Sequence, residues 1–238
     1  MTGRTDARTV VVAGGAGFLG RIVVTDLVRR GCTVAVPTRR PDSVRDLSAV
    51  LDDAPGRLVV VPLDASGPAG AVPALARLDP APSAVVASLG GWSIGPHLLD
   101  LAPDAWQRAL DDHLTAHLRA MQAYVPLVDG QDDAVYVTTN GAAADEPMVG
   151  SGPVNVTGAA QRMLLRAVAL EHDGGVRFHE VAFLAAVAGD DRNLDPHAEL
   201  GHEAVAAAVR GVLDDPGSPQ LVRVAPHGRR RPAEASET

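Results

Sequence analysis

The stretch Thr9-Val10-Val11-Val12-Ala13-Gly14-Gly15-Ala16-Gly17-Phe18-Leu19-Gly20 decides how this chain must fold. A β-branched run ends abruptly in glycines at GxxGxxG spacing, and the amphipathic segment Arg21 to Arg30 follows. The order is strand, tight turn, helix. Gly14 and Gly17 permit the turn and a close approach of backbone to a pyrophosphate, while Gly20 lets the helix pack against the strand. The helix start at Phe18 and Leu19 offers free N–H groups and the positive end of the helix dipole to phosphate. A glycine motif alone is weak evidence; between a strand and a helix it points to dinucleotide binding.

Beyond this stretch, short apolar runs alternate with helical periodicity along the chain. The strand-like runs are 9–13, 33–36, 57–63, 83–88, 133–138, 176–183 and 220–224. The helix-like stretches fall at 18–30, 42–51, 69–78, 104–128, 155–172 and 198–214, with Gly31 and Asp129-Gly130 as stop signals. This alternation predicts an α/β fold: a doubly wound parallel sheet of about seven strands with helices on both faces. No linker divides the chain, so residues 1–226 are expected to form a single dinucleotide-binding domain. Residues 227–238, HGRRRPAEASET, lack apolar periodicity and are expected to form a disordered tail.

Composition narrows the partners. The chain has 238 residues, 46% of them hydrophobic, and a formal net charge of −8. Its one strongly basic run, Arg229-Arg230-Arg231, sits in the polar tail, which argues against nucleic acid. Cys32 is the only cysteine, so an intrachain disulfide and a Cys-based zinc site are excluded and a reducing, cytoplasmic setting fits. No apolar stretch reaches the roughly 18 residues of a membrane span.

Past the second strand run stand Pro37-Thr38-Arg39-Arg40. An acidic residue here would bond the adenosine ribose of NAD, whereas arginine suits a 2′-phosphate, so Arg39 and Arg40 favour NADP(H) over NAD(H) unless they form only a solvated turn. Asp64, followed by Ala65, ends the third run and would either contact the adenine amino group or form a turn.

These residues together resemble the short-chain dehydrogenase/reductase family, over nearly the whole chain. The resemblance rests on GGAGFLG, on Asp64, and on Ala87-Ser88-Leu89-Gly90-Gly91 where the family usually has Asn-Asn-Ala-Gly. It extends to Trp106 through Leu114 and to Gly158-Ala159-Ala160-Gln161 with Ala169-Leu170-Glu171. It implies a Rossmann-type fold, cofactor contacts from Ser88 and Gly90, a small-molecule substrate, and a homodimer or homotetramer.

The same resemblance exposes a loss. The family's catalytic Tyr-x-x-x-Lys falls on Val154 and Gly158; Tyr124 and Tyr136 lie elsewhere, and the chain contains no lysine. Valine cannot transfer a proton and glycine cannot supply charge, and general acid–base catalysis is worth about 10²- to 10⁴-fold. His113, where the family has a relay Asn, is a candidate replacement, or else a hydrogen-bonded core histidine. Thr139 and Asn140, near the family's serine, would polarise a carbonyl oxygen.

Weaker candidates complete the set. His97 stands on the loop after the fourth strand; His113 and His117 share a helical face, but no HExxH pattern supports a metal; Asp145 and Glu146 either line the entrance or are solvated. Phe183-Leu184-Ala185-Ala186 replaces the family's Pro-Gly beside the nicotinamide. Three functions follow: an NADP(H)-dependent divergent enzyme, a non-catalytic NADP(H) sensor or partner subunit, or a non-redox isomerase, lyase or cyclase using the same pocket.

Overall fold

The computed structural model describes residues 8–190, 193 and 199–226. The expected tail from His227 lies outside the described residues. In chain order the elements are β1 (Thr9–Ala13), α1 (Phe18–Arg29), β2 (Thr33–Thr38), α2 (Arg45–Val50), β3 (Arg57–Pro62), α3 (Pro68–Leu75) and β4 (Pro82–Ala87). There follow α4 (Pro103–Ala109), α5 (Ala116–Val128), β5 (Val135–Gly141), α6 (Gly152–Glu171), β6 (Arg177–Phe183), α7 (His202–Asp214) and β7 (Leu221–Val224).

The strands form one parallel sheet in the order β3-β2-β1-β4-β5-β6-β7. Successive side chains of β1 serve opposite faces: Val10 and Val12 pack with Val24 and Leu27 of α1 and Val209 of α7, while Val11 and Ala13 pack with Leu75, Met121 and Tyr124. Burial on both faces explains why the strands appear as unbroken apolar runs. The chain reverses direction between β1 and β4, and the crevice at the carboxyl ends of such strands is where this topology binds ligands.

Three helix expectations need correction. The stretch 104–128 is not one helix, because Leu110–Thr115 forms a π-helical segment between α4 and α5. Such widened turns concentrate at functional sites. Residues 42–51 form a 3₁₀ turn, Pro41–Val44, followed by the short α2. Helix α6 begins at Gly152, three residues before the expected start, because Pro153 near its first position has the helical φ already set and no N–H to lose.

Candidate active site

The glycine turn is built by contact as much as by flexibility. Gly14 has φ +81°, and a Cβ there would come within 2.0 Å of the Ser88 carbonyl oxygen. A Cβ on Gly20 would lie 2.2 Å from the Gly14 carbonyl oxygen, so α1 presses directly on the turn. Gly17 is less confined, its nearest contact being 3.2 Å from Gly14 O. It is the N-cap residue of α1, which has no side-chain cap and no acidic residue in its first turn. The N-terminal N–H groups and dipole therefore remain available to an anion, and the close-packed backbone fits a pyrophosphate.

The two arginines follow β2 on the same carboxyl edge. Both are exposed, and the Arg39 side chain makes no hydrogen bond or ion pair among the described residues. The Arg40 backbone is fixed by Thr38 Oγ1 and Ser43 Oγ. Asp64 is occupied in the local turn, its Oδ1 accepting the Ser66 N–H at 2.8 Å. Asp64 and Ala65 are exposed at the end of β3, outside the central cavity.

A cavity of about 790 Å³ opens beside the turn, walled by Gly17 through Gly20, Ser88 through Trp92, His113, Thr139 through Ala143, Val154, Gly158 and Phe183 through Val187. It therefore joins the expected cofactor residues Phe18, Leu19, Ser88 and Gly90 to the expected catalytic ones. Val154 and Gly158 line it one helical turn apart on α6. Neither tyrosine reaches it: Tyr124 and Tyr136 are buried in the core, and burial pushes both phenols far above their ordinary pKa.

His113 lies in the π segment, half-buried, with its ring against Gly90, where a Cβ would meet Nδ1 at 2.9 Å. Its ring nitrogens take no hydrogen-bond partner among the described residues, and burial lowers its pKa, with Asp112 acting the other way. The imidazole is thus neutral at pH 7. His117, one turn on, is wholly buried, and burial lowers its pKa to about 4. Among the described residues neither of its nitrogens reaches a partner in bonding geometry, although the nearby Leu89 backbone favours the protonated ring.

Thr139 donates from Oγ1 to Ser88 Oγ at 3.1 Å, placing two linked hydroxyls at the cavity floor. Asn140 turns toward the protein: Nδ2 donates to Gly158 O at 3.0 Å and Oδ1 accepts from Gly141 N at 2.9 Å. This leaves its amide one N–H for anything in the cavity. Gln161, which sequence reasoning missed, lines the cavity and donates to Thr139 O at 3.0 Å. Its position one turn beyond Gly158 was the available signal.

Other candidates fall away from the cavity. His97 is exposed and outside the lining. Asp145 is held by Arg162 and Arg223, and Arg162 in turn holds the buried Glu180 at 2.8 Å, so Asp145 ties α6 to β6 and β7. The Arg partners keep the Asp145 carboxyl below its ordinary pKa, against burial, which raises it. Glu146 does not line the cavity either.

Topology and the glycine turn at its switch point define a Rossmann-type α/β protein. The sequence matches the family model described as short chain dehydrogenase over residues 8–187. The chain belongs to that family. No curated protein matches the sequence. Among solved structures, a short-chain type dehydrogenase/reductase from Mycobacterium ulcerans is similar with TM-score 0.80 and 22% identity, covering 92% of this chain and 88% of that one. An alcohol dehydrogenase from the archaeon Thermococcus sibiricus, complexed with 5-hydroxy-NADP, superposes with TM-score 0.77 at 20% identity, covering 94% and 99%. The apo structure of a short chain oxidoreductase from Pseudomonas aeruginosa PAO1, described as containing an atypical catalytic center, gives TM-score 0.79 at 21% identity, covering 94% and 98%.

Proposed function

We propose that residues 1–226 form one dinucleotide-binding unit that takes NADP(H) in preference to NAD(H) and acts on a small organic substrate without the family's tyrosine–lysine proton relay. The observation that carries this reading is the uncapped start of α1 behind the Gly14 turn, with Arg39, unpaired among the described residues, on the same sheet edge. Backbone N–H groups of Phe18 and Leu19 would hold the pyrophosphate, and Arg39 the 2′-phosphate. Ser88 and Gly90 would line the ribose and nicotinamide end. When bound, the nicotinamide supplies or removes a hydride.

The chain's own proton chemistry then falls to His113. A neutral imidazole has a lone pair on one ring nitrogen, so it accepts a proton from a substrate hydroxyl more readily than it donates one. That favours alcohol oxidation, with Thr139 and Ser88 Oγ orienting the substrate oxygen. A homo-oligomer in a reducing cytoplasm completes the reading. A structure with NADP⁺ tests it: pyrophosphate against α1 and the 2′-phosphate on Arg39 are expected, and a nucleotide bound elsewhere would contradict it.

A second reading, a non-catalytic NADP(H) sensor or partner subunit, is favoured by Asn140, whose amide serves the Gly158 and Gly141 backbone. Such a protein would bind the two redox states unequally, since a ligand shifts an equilibrium only through differential affinity. Non-redox chemistry would instead yield product with no nucleotide consumed.

A further inference from the structure

Among the described residues, the walls of the cavity carry no cationic side chain. Among the described lining residues only His113 and Asp190 titrate, and burial keeps His113 neutral. Away from the start of α1, which the nucleotide would occupy, a substrate carboxylate or phosphate deep in this space would lose its hydration with no cationic side chain beside it among the described residues, which is costly. The remaining lining, including Trp92, Met148, Val154 and Leu184, is largely apolar.

The apolar surface continues outside. The loop after β4 and the loop before α6 are bound together: Gly95 N donates to Gly150 O at 2.8 Å, and Trp92 Nε1 donates to Ser151 Oγ at 3.1 Å. Ile94 and Leu98 lie directly on the second loop, where a Cβ on Gly150 would meet Ile94 Cγ2 at 2.9 Å and one on Gly152 would meet Leu98 Cγ at 2.3 Å. Yet Ile94 remains 55% exposed, Leu98 48%, Met148 40% and Val149 88%. Met148 belongs both to this rim and to the cavity wall, so the two surfaces are continuous. Clustered exposed apolar side chains beside a pocket mark a binding surface.

We propose that the site takes an uncharged, elongated apolar substrate whose polar end meets His113, Ser88 and Thr139 and whose tail emerges across the rim formed by Ile94, Leu98, Met148 and Val149. The inference rests on the proposed use of this cavity as the substrate site. It selects the tail of a small molecule over a second protein because the rim runs into the cavity rather than across a helix face.

The test is a chain-length series of 2-alkanones and of the matching alkanoates, titrated into the protein with saturating NADP⁺, to which the ketone can pass no hydride, and followed by tryptophan fluorescence. Alkanone affinity is expected to rise about fourfold per methylene, continuing past the length that fills the cavity, with alkanoates of equal length at least about tenfold weaker. In the double variant Ile94→Ser/Val149→Ser, at positions outside the cavity lining, the gain should stop at a shorter chain while short alkanones bind unchanged. Alkanoates binding as well as alkanones, a flat chain-length profile or no alkanone binding would overturn the proposal. So would a double variant with the parent's profile but a smaller sedimenting species, or with lost pelleting on phosphatidylcholine vesicles, since the rim would then serve a protein or a membrane. NADP⁺ titrated alone separates failure of the nucleotide reading from failure of this one.

Discussion

The side chain of Asn140 and the backbone of Gly158 are locked together: Nδ2 donates to Gly158 O at 3.0 Å, while Oδ1 lies 3.1 Å from where a Cβ on residue 158 would stand. The position at which the sequence comparison expects the family's lysine is therefore crowded by a neighbour as well as empty of charge. Ala144 Cβ, at 3.3 Å from the same point, closes it further.

This coupling predicts a double-mutant cycle. Asn140→Ala leaves Gly158 O and Gly141 N without their partner and should cost about 1–2 kcal/mol in urea unfolding. Gly158→Ala should gain helix propensity, up to about 1 kcal/mol, in the Asn140→Ala background, and less beside the intact Asn140. Additive effects would show that the two residues do not constrain each other. By the same argument, Val154→Tyr/Gly158→Lys alone should fold less stably than the triple variant that also carries Asn140→Ser.

The phosphate turn should be intolerant of a single methyl group. Gly14→Ala must move a carbonyl oxygen that would stand 2.0 Å away and must also hold alanine at φ +81°. Destabilisation of about 2–4 kcal/mol and lost nucleotide binding are expected. Gly17→Ala, with only one contact at 3.2 Å, should be the milder change in the same thermal-melt comparison.

How much of this was visible in the sequence differs by level. The strand runs and the turn between Ala13 and Phe18 were legible because burial on both faces forces unbroken β-branched segments and because the glycines sit where strand becomes helix. The π segment at Leu110–Thr115 was not, since its residues keep helical spacing and only the hydrogen-bond ladder changes. Asp145 and Asn140 illustrate the site-level limit. Both carry polar groups suited to chemistry, and both are committed to partners distant in sequence, Arg223 and Gly158, that no local pattern announces.

His117 predicts an acid-sensitive fold. Its folded pKa of about 4 lies below its ordinary 6.5, so the unfolded chain takes up the proton first as pH falls. The stability contributed by the neutral ring is complete above pH 6.5 and declines between 6.5 and 4, by about 3 kcal/mol at the lower limit. His117→Leu should flatten that part of the stability profile and, by removing a buried group whose nitrogens reach no partner in bonding geometry among the described residues, raise stability at pH 7. An unchanged slope in the variant would place the acid sensitivity elsewhere, with His113 and His179, both shifted downward by burial, the next groups to replace.

His113 should govern turnover and leave nucleotide affinity alone. His113→Gln is expected to lower kcat about 10²-fold or more with little change in NADPH affinity. In the parent protein kcat for alcohol oxidation should fall as pH drops through the lowered His113 pKa, because the protonated ring cannot act as a base. A variant that retains the parent's rate and pH profile would assign the proton to another group.

Nucleotide binding and the preference for the 2′-phosphate are both read by calorimetric titration of the chain and of Arg39→Ala with NADPH and NADH. One NADPH site per chain is expected, tighter than NADH, with a loss of about tenfold to a hundredfold for NADPH alone in the variant, the value of one charged hydrogen-bonding partner. Absence of NADPH binding, or equal affinity for both nucleotides in both proteins, would contradict it.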